Sequence, residues 1–204
     1  MHINEKTTIL INKYADRFLI GNVNFKFASD KAYADMARRT LRIDVGSEFR
    51  SNLKSEATRV LKECIENLKN MKAISQCSFQ SWHKESCNKL IDCYKPYLFY
   101  YGQSQKWLNM ILKYLYVYDV EEYQCLFSQK LIEVMDMPID FKVIKNFHNQ
   151  YNIKWPNSGW SKWNENTYRS YQESIRKALI QDKTLTEDEK IPFYWELIHW
   201  PDLD

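Results

Sequence analysis

The amino-acid sequence predicts an all-α protein, and three observations support that prediction. Glycine and proline are scarce, with 4 and 5 copies in 204 residues, so the chain has few of the turn signals that a many-stranded β fold needs. Apolar residues recur at helical spacing along most of the chain. The apolar fraction of 45% and the charged fraction of 27% are ordinary for a globular protein. We therefore predict one compact domain of about eight or nine helices over residues 1–204.

The first three helices follow from apolar spacing and from local stop signals. One helix is expected over residues 30–41, and a second begins after Ser47, a preferred N-cap residue type. Residues spaced three or four apart form its buried face: Phe49, Leu53, Ala57, Val60, Leu61, Cys64, Ile65 and Leu68. A third helix over residues 82–94 must end before Pro96, because proline disfavours helical geometry in the residue that precedes it.

The fourth predicted helix, residues 103–117, is the most informative. Its apolar stripe consists of Trp107, Leu108, Ile111, Leu112 and Leu115, and its opposite side carries Lys106, Asn109 and Lys113. Residues 122–135 repeat the helical pattern. A sixth helix opens at Pro138, a residue favoured at the first helical position.

The residue pattern in the remainder of the chain predicts a loop and two further helices. Residues 155–163 form a tryptophan-rich loop, and residues 164–180 form a polar helix. Thr186 and Glu189 have the spacing of a capping box before the last helix.

Residues 101–112 resemble the second half of the hairpin in helix-hairpin-helix DNA glycosylases. A glycine turn at Gly102 opens a helix, an early lysine follows at Lys106, and Asn109 lies three residues further on. Only Gly102 remains of the Leu-Pro-Gly-Val-Gly turn that is usual in that family. The resemblance therefore implies a modified helix-hairpin-helix.

Residues 137–144 resemble the segment that supplies the catalytic aspartate of the same family, because a Pro-hydrophobic-Asp stretch there ends in Asp140. The two segments occur in the family's order, and the resemblance covers residues 98–150, the candidate hairpin and catalytic segment. The long gap between Lys106 and Asp140 is nearest to the archaeal 8-oxoguanine branch. The cysteine loop that binds an iron–sulfur cluster in some relatives is absent, so we expect no cofactor.

The resemblance implies Lys106 as the nucleophile and Asp140 as its assistant. An unprotonated amine can attack the C1′ carbon of a deoxyribose and form a Schiff base. Since free lysine has a pKa of about 10.4, burial or a cationic neighbour must lower it. A carboxylate at a helix N-terminus stays ionised and can stabilise positive charge on the sugar or accept a proton.

The expected substrate is duplex DNA with a modified base that leaves the stack and enters an aromatic pocket. The candidate pocket residues are Trp107, Trp155, Trp160 and Trp163. Backbone amides of Gly102, Gln103 and Ser104 at a helix start are candidates to hold a phosphate. The candidate backbone-binding cations are Lys142, Lys145, Lys154 and Arg169. The net charge of +3 permits DNA binding without requiring it.

Several other classes are disfavoured. The chain has no apolar run of membrane-spanning length, and its five scattered cysteines without a secretory signal indicate free thiols and a cytoplasmic protein. His83, Cys87 and Cys93 lack a C-x-x-C pair, so no metal site is predicted. No glycine-rich phosphate loop and no hydrolase triad pattern is present.

Two functions remain after these exclusions. The first is a DNA glycosylase, with or without abasic-site lyase activity, that acts in repair or in defence against modified phage DNA. The second is a non-catalytic helical module that binds protein or nucleic acid through its aromatic rings. The first requires Lys106 and Asp140 to converge within hydrogen-bond or one-water reach, whereas the second does not.

Overall fold

The computed structural model of the chain describes residues 23–200, so residues 1–22 and 201–204 of the predicted domain lie outside it. The described part forms one compact all-helical domain without strands, which confirms the predicted fold class. Its α-helices are α1 (Phe25–Thr40), α2 (Ser47–Lys69), α3 (Gln76–Cys93), α4 (Tyr101–Val117), α5 (Gln129–Val134), α6 (Phe141–Tyr151), α7 (Glu165–Gln181) and α8 (Pro192–His199). Two 3₁₀ helices, Glu121–Leu126 and Trp160–Lys162, lie in connecting segments.

Short polar side chains begin most of these helices. An oxygen of the N-cap side chain accepts a backbone N–H of the first turn, which satisfies a donor that has no partner within the helix. The N-cap residues that do so are Asn24, Ser75, Ser128, Asp140 and Asn164. The predicted stop of the third helix is confirmed, since α3 ends at Cys93, just before the cis Lys95–Pro96 bond.

Three local predictions differ from the structure. The single helix predicted over residues 122–135 is divided, because the Ser128 side chain caps Leu131 and starts α5 anew. Pro138 does not open a helix: residues 135–139 are non-helical and α6 begins only after Asp140. Gly46 rather than Ser47 is the N-cap of α2. In the first two cases a side-chain cap, at Ser128 and at Asp140, decides where the helix begins rather than the apolar period.

The predicted capping box forms, although its helix starts later than expected. The Glu189 carboxylate accepts from the Thr186 backbone N–H at 2.9 Å, and the Thr186 hydroxyl accepts from the Glu189 N–H at 3.3 Å. This box closes a turn, after which Pro192 occupies the first position of α8.

Helix α4 occupies the centre of the molecule. It packs against α1, α3, α7 and both 3₁₀ helices, and every one of its residues except Tyr116 is buried. Its polar side is therefore as inaccessible to water as its apolar stripe. Because a buried polar group without a partner is strongly destabilising, the side chains on that side determine which segments pack against α4.

Gly102 makes the closest of these approaches. It lies inside the first turn of α4, and its N–H donates to the Trp163 carbonyl at 3.0 Å. A Cβ atom there would lie 1.9 Å from the Trp160 carbonyl oxygen. The glycine turn expected at this position is thus a packing contact, and glycine is needed because a backbone passes where a side chain would be.

None of the helices in the described part of the chain combines the length and the apolar character that a membrane-spanning helix needs.

Replacing Gly102 should therefore destabilise the fold. We expect Gly102→Ala to lower the free energy of unfolding by about 1–3 kcal/mol, because overpacking against the Trp160 backbone outweighs the better helix propensity of alanine. Chemical denaturation measures the change. Gly159→Ala is the matched control, since a Cβ at Gly159 meets nothing within 4 Å. Equal stability of the two variants would contradict the packing role.

Candidate active site

Lys106 and Asp140 meet across the interface between α4 and the start of α6. The Lys106 Nζ lies 2.8 Å from the Asp140 Oδ2, and the two side chains are only 5% and 18% exposed. The other Asp140 oxygen, Oδ1, accepts the Val143 backbone N–H at 3.1 Å as the N-cap of α6. The carboxylate is therefore held on one side by a helix terminus and on the other by an ammonium group.

The environment of Asp140 favours its ionised form. Burial by itself would raise the pKa of the carboxyl group, but the adjacent Lys106 charge and its hydrogen bond outweigh burial. The Val143 N–H and the Trp200 indole, whose Nε1 lies 3.4 Å from Oδ2, act in the same direction. The pKa of Asp140 is consequently below its ordinary value, as its position at a helix N-terminus predicts.

A second buried ion pair lies along the same face of α4. The Lys113 Nζ is 2.8 Å from the Glu196 Oε2 of α8, and both side chains are almost completely buried. Burial lowers the pKa of Lys113, and Glu196 partly opposes that shift. The Trp200 ring links the two pairs, because its centroid lies 5.1 Å from the Lys113 Nζ while its indole N–H points at Asp140.

Sequence reasoning missed Glu196 and Trp200, although one signal was present. Glu196 is the only acidic residue of α8, a helix otherwise composed of apolar and aromatic residues and one histidine. A lone carboxylate in such a helix predicts a buried cationic partner, since an unpaired charge is rarely fully buried.

Gln105 fixes the chain segment that carries Asp140. Its side-chain Nε2 donates to the Ile139 carbonyl at 3.2 Å, and its Oε1 accepts the Ile139 N–H at 3.4 Å. The amide thus pairs with both backbone groups of the residue before Asp140. Because Gln105 directly precedes Lys106, two consecutive residues of α4 hold two consecutive residues of the other segment.

A buried polar network flanks this arrangement on the side of α3 and α7. The Asn109 amide donates to the Tyr168 hydroxyl at 2.9 Å and lies 3.1 Å from the His83 Nε2. Burial is the main cause that lowers the pKa of His83 to about 4, so the imidazole is neutral near pH 7. Arg169 completes the network with an ion pair to the buried Asp136 at 3.2 Å.

The predicted contacts with the DNA backbone divide into two groups. Lys142, Lys145 and Lys154 are exposed on or just after α6. Arg169, in contrast, is a structural residue that donates to the Gln80 carbonyl and to Asp136.

The predicted phosphate-binding amides are not open to an anion, and this prediction is corrected. The N–H groups of Gln103 and Ser104 both donate to the Tyr100 carbonyl. The Gly102 N–H donates to Trp163, and all three residues are buried. The start of α4 packs against the Trp160–Lys162 segment, which occupies the space that an anion would need.

The four predicted pocket tryptophans lie in different environments. Trp107 is fully buried against α1, where its indole donates to the Ser29 carbonyl at 3.3 Å. Trp163 is also a core residue, and it packs on the Tyr171 ring. Trp160 and Trp155 are half-buried, and Trp155 lies against the Phe141 ring beside Asp140. As placed, Trp107 and Trp163 have no ring face available for a ligand.

The Asp140 interaction should make stability depend on pH. A carboxyl group whose pKa is lowered by folding contributes stability above its unfolded pKa of about 3.9, and that contribution disappears as the pH falls through the folded pKa. We expect Asp140→Asn to unfold at a lower temperature than the wild type from pH 7 to pH 5. Below about pH 4 this difference in unfolding temperature should narrow, because the carboxyl group of the unfolded wild type takes up its proton first. The difference should close as the pH falls through the lower pKa of the folded state.

Calorimetry across this pH range measures the difference. Asp44→Asn, at an exposed aspartate, is the control and should follow the wild type. If the difference in unfolding temperature between the wild type and Asp140→Asn is as large at pH 3 as at pH 7, the charge on Asp140 contributes nothing to stability.

Comparison of the chain with protein-family models, with curated proteins and with solved structures finds no match. The geometry of Lys106, Asp140 and their neighbours is therefore the basis on which a function can be assigned.

Proposed function

We propose that this protein is a DNA glycosylase that excises an oxidised or otherwise modified base, with Lys106 as the nucleophile and Asp140 assisting. The proposal rests on the 2.8 Å contact between the Lys106 Nζ and the Asp140 Oδ2, which are both nearly buried. The two groups lie 34 residues apart in the chain, and they satisfy the distance that a nucleophile and its base require.

The chemistry requires Lys106 to lose a proton before it attacks. The hydrogen bond to the Asp140 carboxylate provides a direct path for that proton. The free amine then forms a bond to C1′ of the deoxyribose while the C1′–N bond breaks. The electron pair leaves with the base, which takes up a proton. Opening of the sugar ring converts the adduct to a Schiff base.

Trp200 is the aromatic residue best placed to contact the leaving base. Its indole lies beside Asp140, and its ring is within 5.1 Å of Lys113 and 5.5 Å of Lys142. Stacking on an aromatic face is the usual means of holding a base outside its helix. Trp200 therefore replaces Trp107 and Trp163 in the proposed pocket.

The surface around α6 supports DNA as the substrate. Residues 141–164 contain no aspartate and no glutamate. Their four lysines, at positions 142, 145, 154 and 162, are all exposed. Exposed cations supply the part of DNA affinity that does not depend on base sequence.

Covalent trapping tests the assignment of Lys106. Borohydride reduces a Schiff base to a stable adduct, so the wild type should form one with a DNA duplex that contains an abasic site or the correct modified base. We expect Lys106→Gln to lose the adduct while it still binds DNA. The oligonucleotide panel holds an abasic site, 8-oxoguanine, uracil, alkylated purines and modified cytosines, and the base that reacts identifies the substrate.

Lys89→Gln is the matched control, because it removes an exposed lysine of α3 without touching the pair. Equal trapping by the wild type and Lys106→Gln would reject Lys106 as the nucleophile. If neither base release nor DNA binding occurs, the non-catalytic helical module becomes the better interpretation.

Salt titration tests the DNA-binding surface. For duplex DNA the slope of log K against log salt is about −0.9 for each phosphate that a cation neutralises. We expect Lys142→Ala, Lys145→Ala and Lys154→Ala each to weaken binding and to reduce the magnitude of the slope by about one. Lys89→Ala should leave the slope at its wild-type value. If all four variants keep the wild-type slope, the DNA binds to another surface of the protein.

A further inference from the structure

Phe141 is an exposed aromatic residue directly beside the proposed active site. It follows Asp140 in the chain as the first residue of α6, and its ring is 58% exposed. The buried face of α6 consists of Val143, Ile144 and Phe147. Phe141 therefore contributes little to the core, and its side chain is open to a contact outside the protein.

Neighbouring rings hold Phe141 in position. Its centroid lies 5.4 Å from that of Trp155 at an interplanar angle of 65°, a favourable edge-to-face arrangement. Trp155 in turn packs against the His148 ring at 5.8 Å, and His148 is bonded to the Ile153 carbonyl at 3.0 Å. This bracing reduces the side-chain entropy that Phe141 would lose on binding a planar ligand.

The surrounding charge indicates what kind of ligand the ring meets. Phe141 opens the stretch of residues 141–164, which has four exposed lysines and no acidic residue. Asp140 is bonded to Lys106, and Asp182 of the adjacent α7 end accepts the Tyr151 hydroxyl. An exposed ring in a stretch of the chain that carries exposed lysines is complementary to a strand that combines flat bases with phosphates.

We propose that Phe141, braced by Trp155, stacks on an unpaired nucleobase next to the nucleotide that Lys106 attacks. This inference rests on the proposed function, because that function places DNA at this site. A base within a paired duplex has both faces covered by its neighbours, so a ring can stack on it only if a base step is opened, at the energetic cost of unstacking. An unpaired base can turn a face towards an exposed ring without that cost. Such bases occur in a single strand and opposite an extruded nucleotide.

Fluorescence anisotropy with three DNA probes tests the proposal. The probes are a short oligothymidylate, a fully paired duplex, and the same duplex with a stable abasic analogue that leaves one base unpaired. We expect Phe141→Ala to lose about tenfold in affinity for the oligothymidylate and for the abasic duplex, the size of one base–aromatic stack. Affinity for the paired duplex should change by less than about twofold, since phosphate contacts remain.

Two further variants separate stacking from other effects. Phe141→Trp keeps a ring and should retain the affinity of the wild type. Phe49→Ala removes another exposed phenylalanine, 48% exposed on α2 beside the Tyr97 ring, and should change none of the three affinities.

The outcomes for the two proposals are distinct. If Phe141→Ala weakens all three probes equally, or none of them, the stacking role is rejected. That result leaves the glycosylase proposal intact as long as the wild type still gives a Lys106-dependent adduct. If the wild type binds none of the probes, the proposed function itself fails, and the stacking proposal fails with it.

Discussion

The burial of the polar side of α4 is the constraint on which the rest of the structure depends. A helix with two lysines, three amide side chains and a serine in its first thirteen residues would ordinarily lie at the surface. Here it lies at the centre, so each of these groups needs a partner from another segment. Lys106 holds the start of α6, Lys113 holds α8, and Asn109 joins α3 to α7 through His83 and Tyr168.

This arrangement makes the proposed site rigid. Gln105 bonds both backbone groups of Ile139, and Lys106 bonds the next residue, Asp140. Any shift of that segment along α4 would break all three hydrogen bonds together. If Lys106 and Asp140 act as nucleophile and base, they need little reorganisation before they react. Holding reacting groups in their reactive geometry in advance lowers the barrier to reaction.

The two buried ion pairs are weak evidence for high stability. The desolvation of a buried ion pair often cancels its attraction, and a well-packed apolar pair of similar volume can be equally stable or more so. In the chain, Asp140 is directly followed by the exposed Phe141. In the proposed function, the exposed ring and lysines that follow Asp140 contact the DNA, and the buried pair reacts with it.

The sequence by itself determined the fold class and the core face of most helices, and it singled out Lys106 and Asp140 as the pair that the proposal uses. Helical spacing, cap residues and Pro96 are local features, and local features can be interpreted without knowledge of the fold. The break before α5 and the start of α6 at Asp140 were not predictable from apolar spacing, because single side-chain caps decide them.

Only the tertiary structure decided what surrounds the pair. It buried Lys106 on a side of α4 that the sequence presents as polar, and it brought Trp200 and the Lys113–Glu196 pair to the same place. In the same structure, the start of α4 packs against the Trp160 backbone, and Arg169 forms an ion pair with Asp136. These outcomes depend on which segments pack together over long separations in the chain, and that information lies in the summed packing of the whole core rather than in any short pattern.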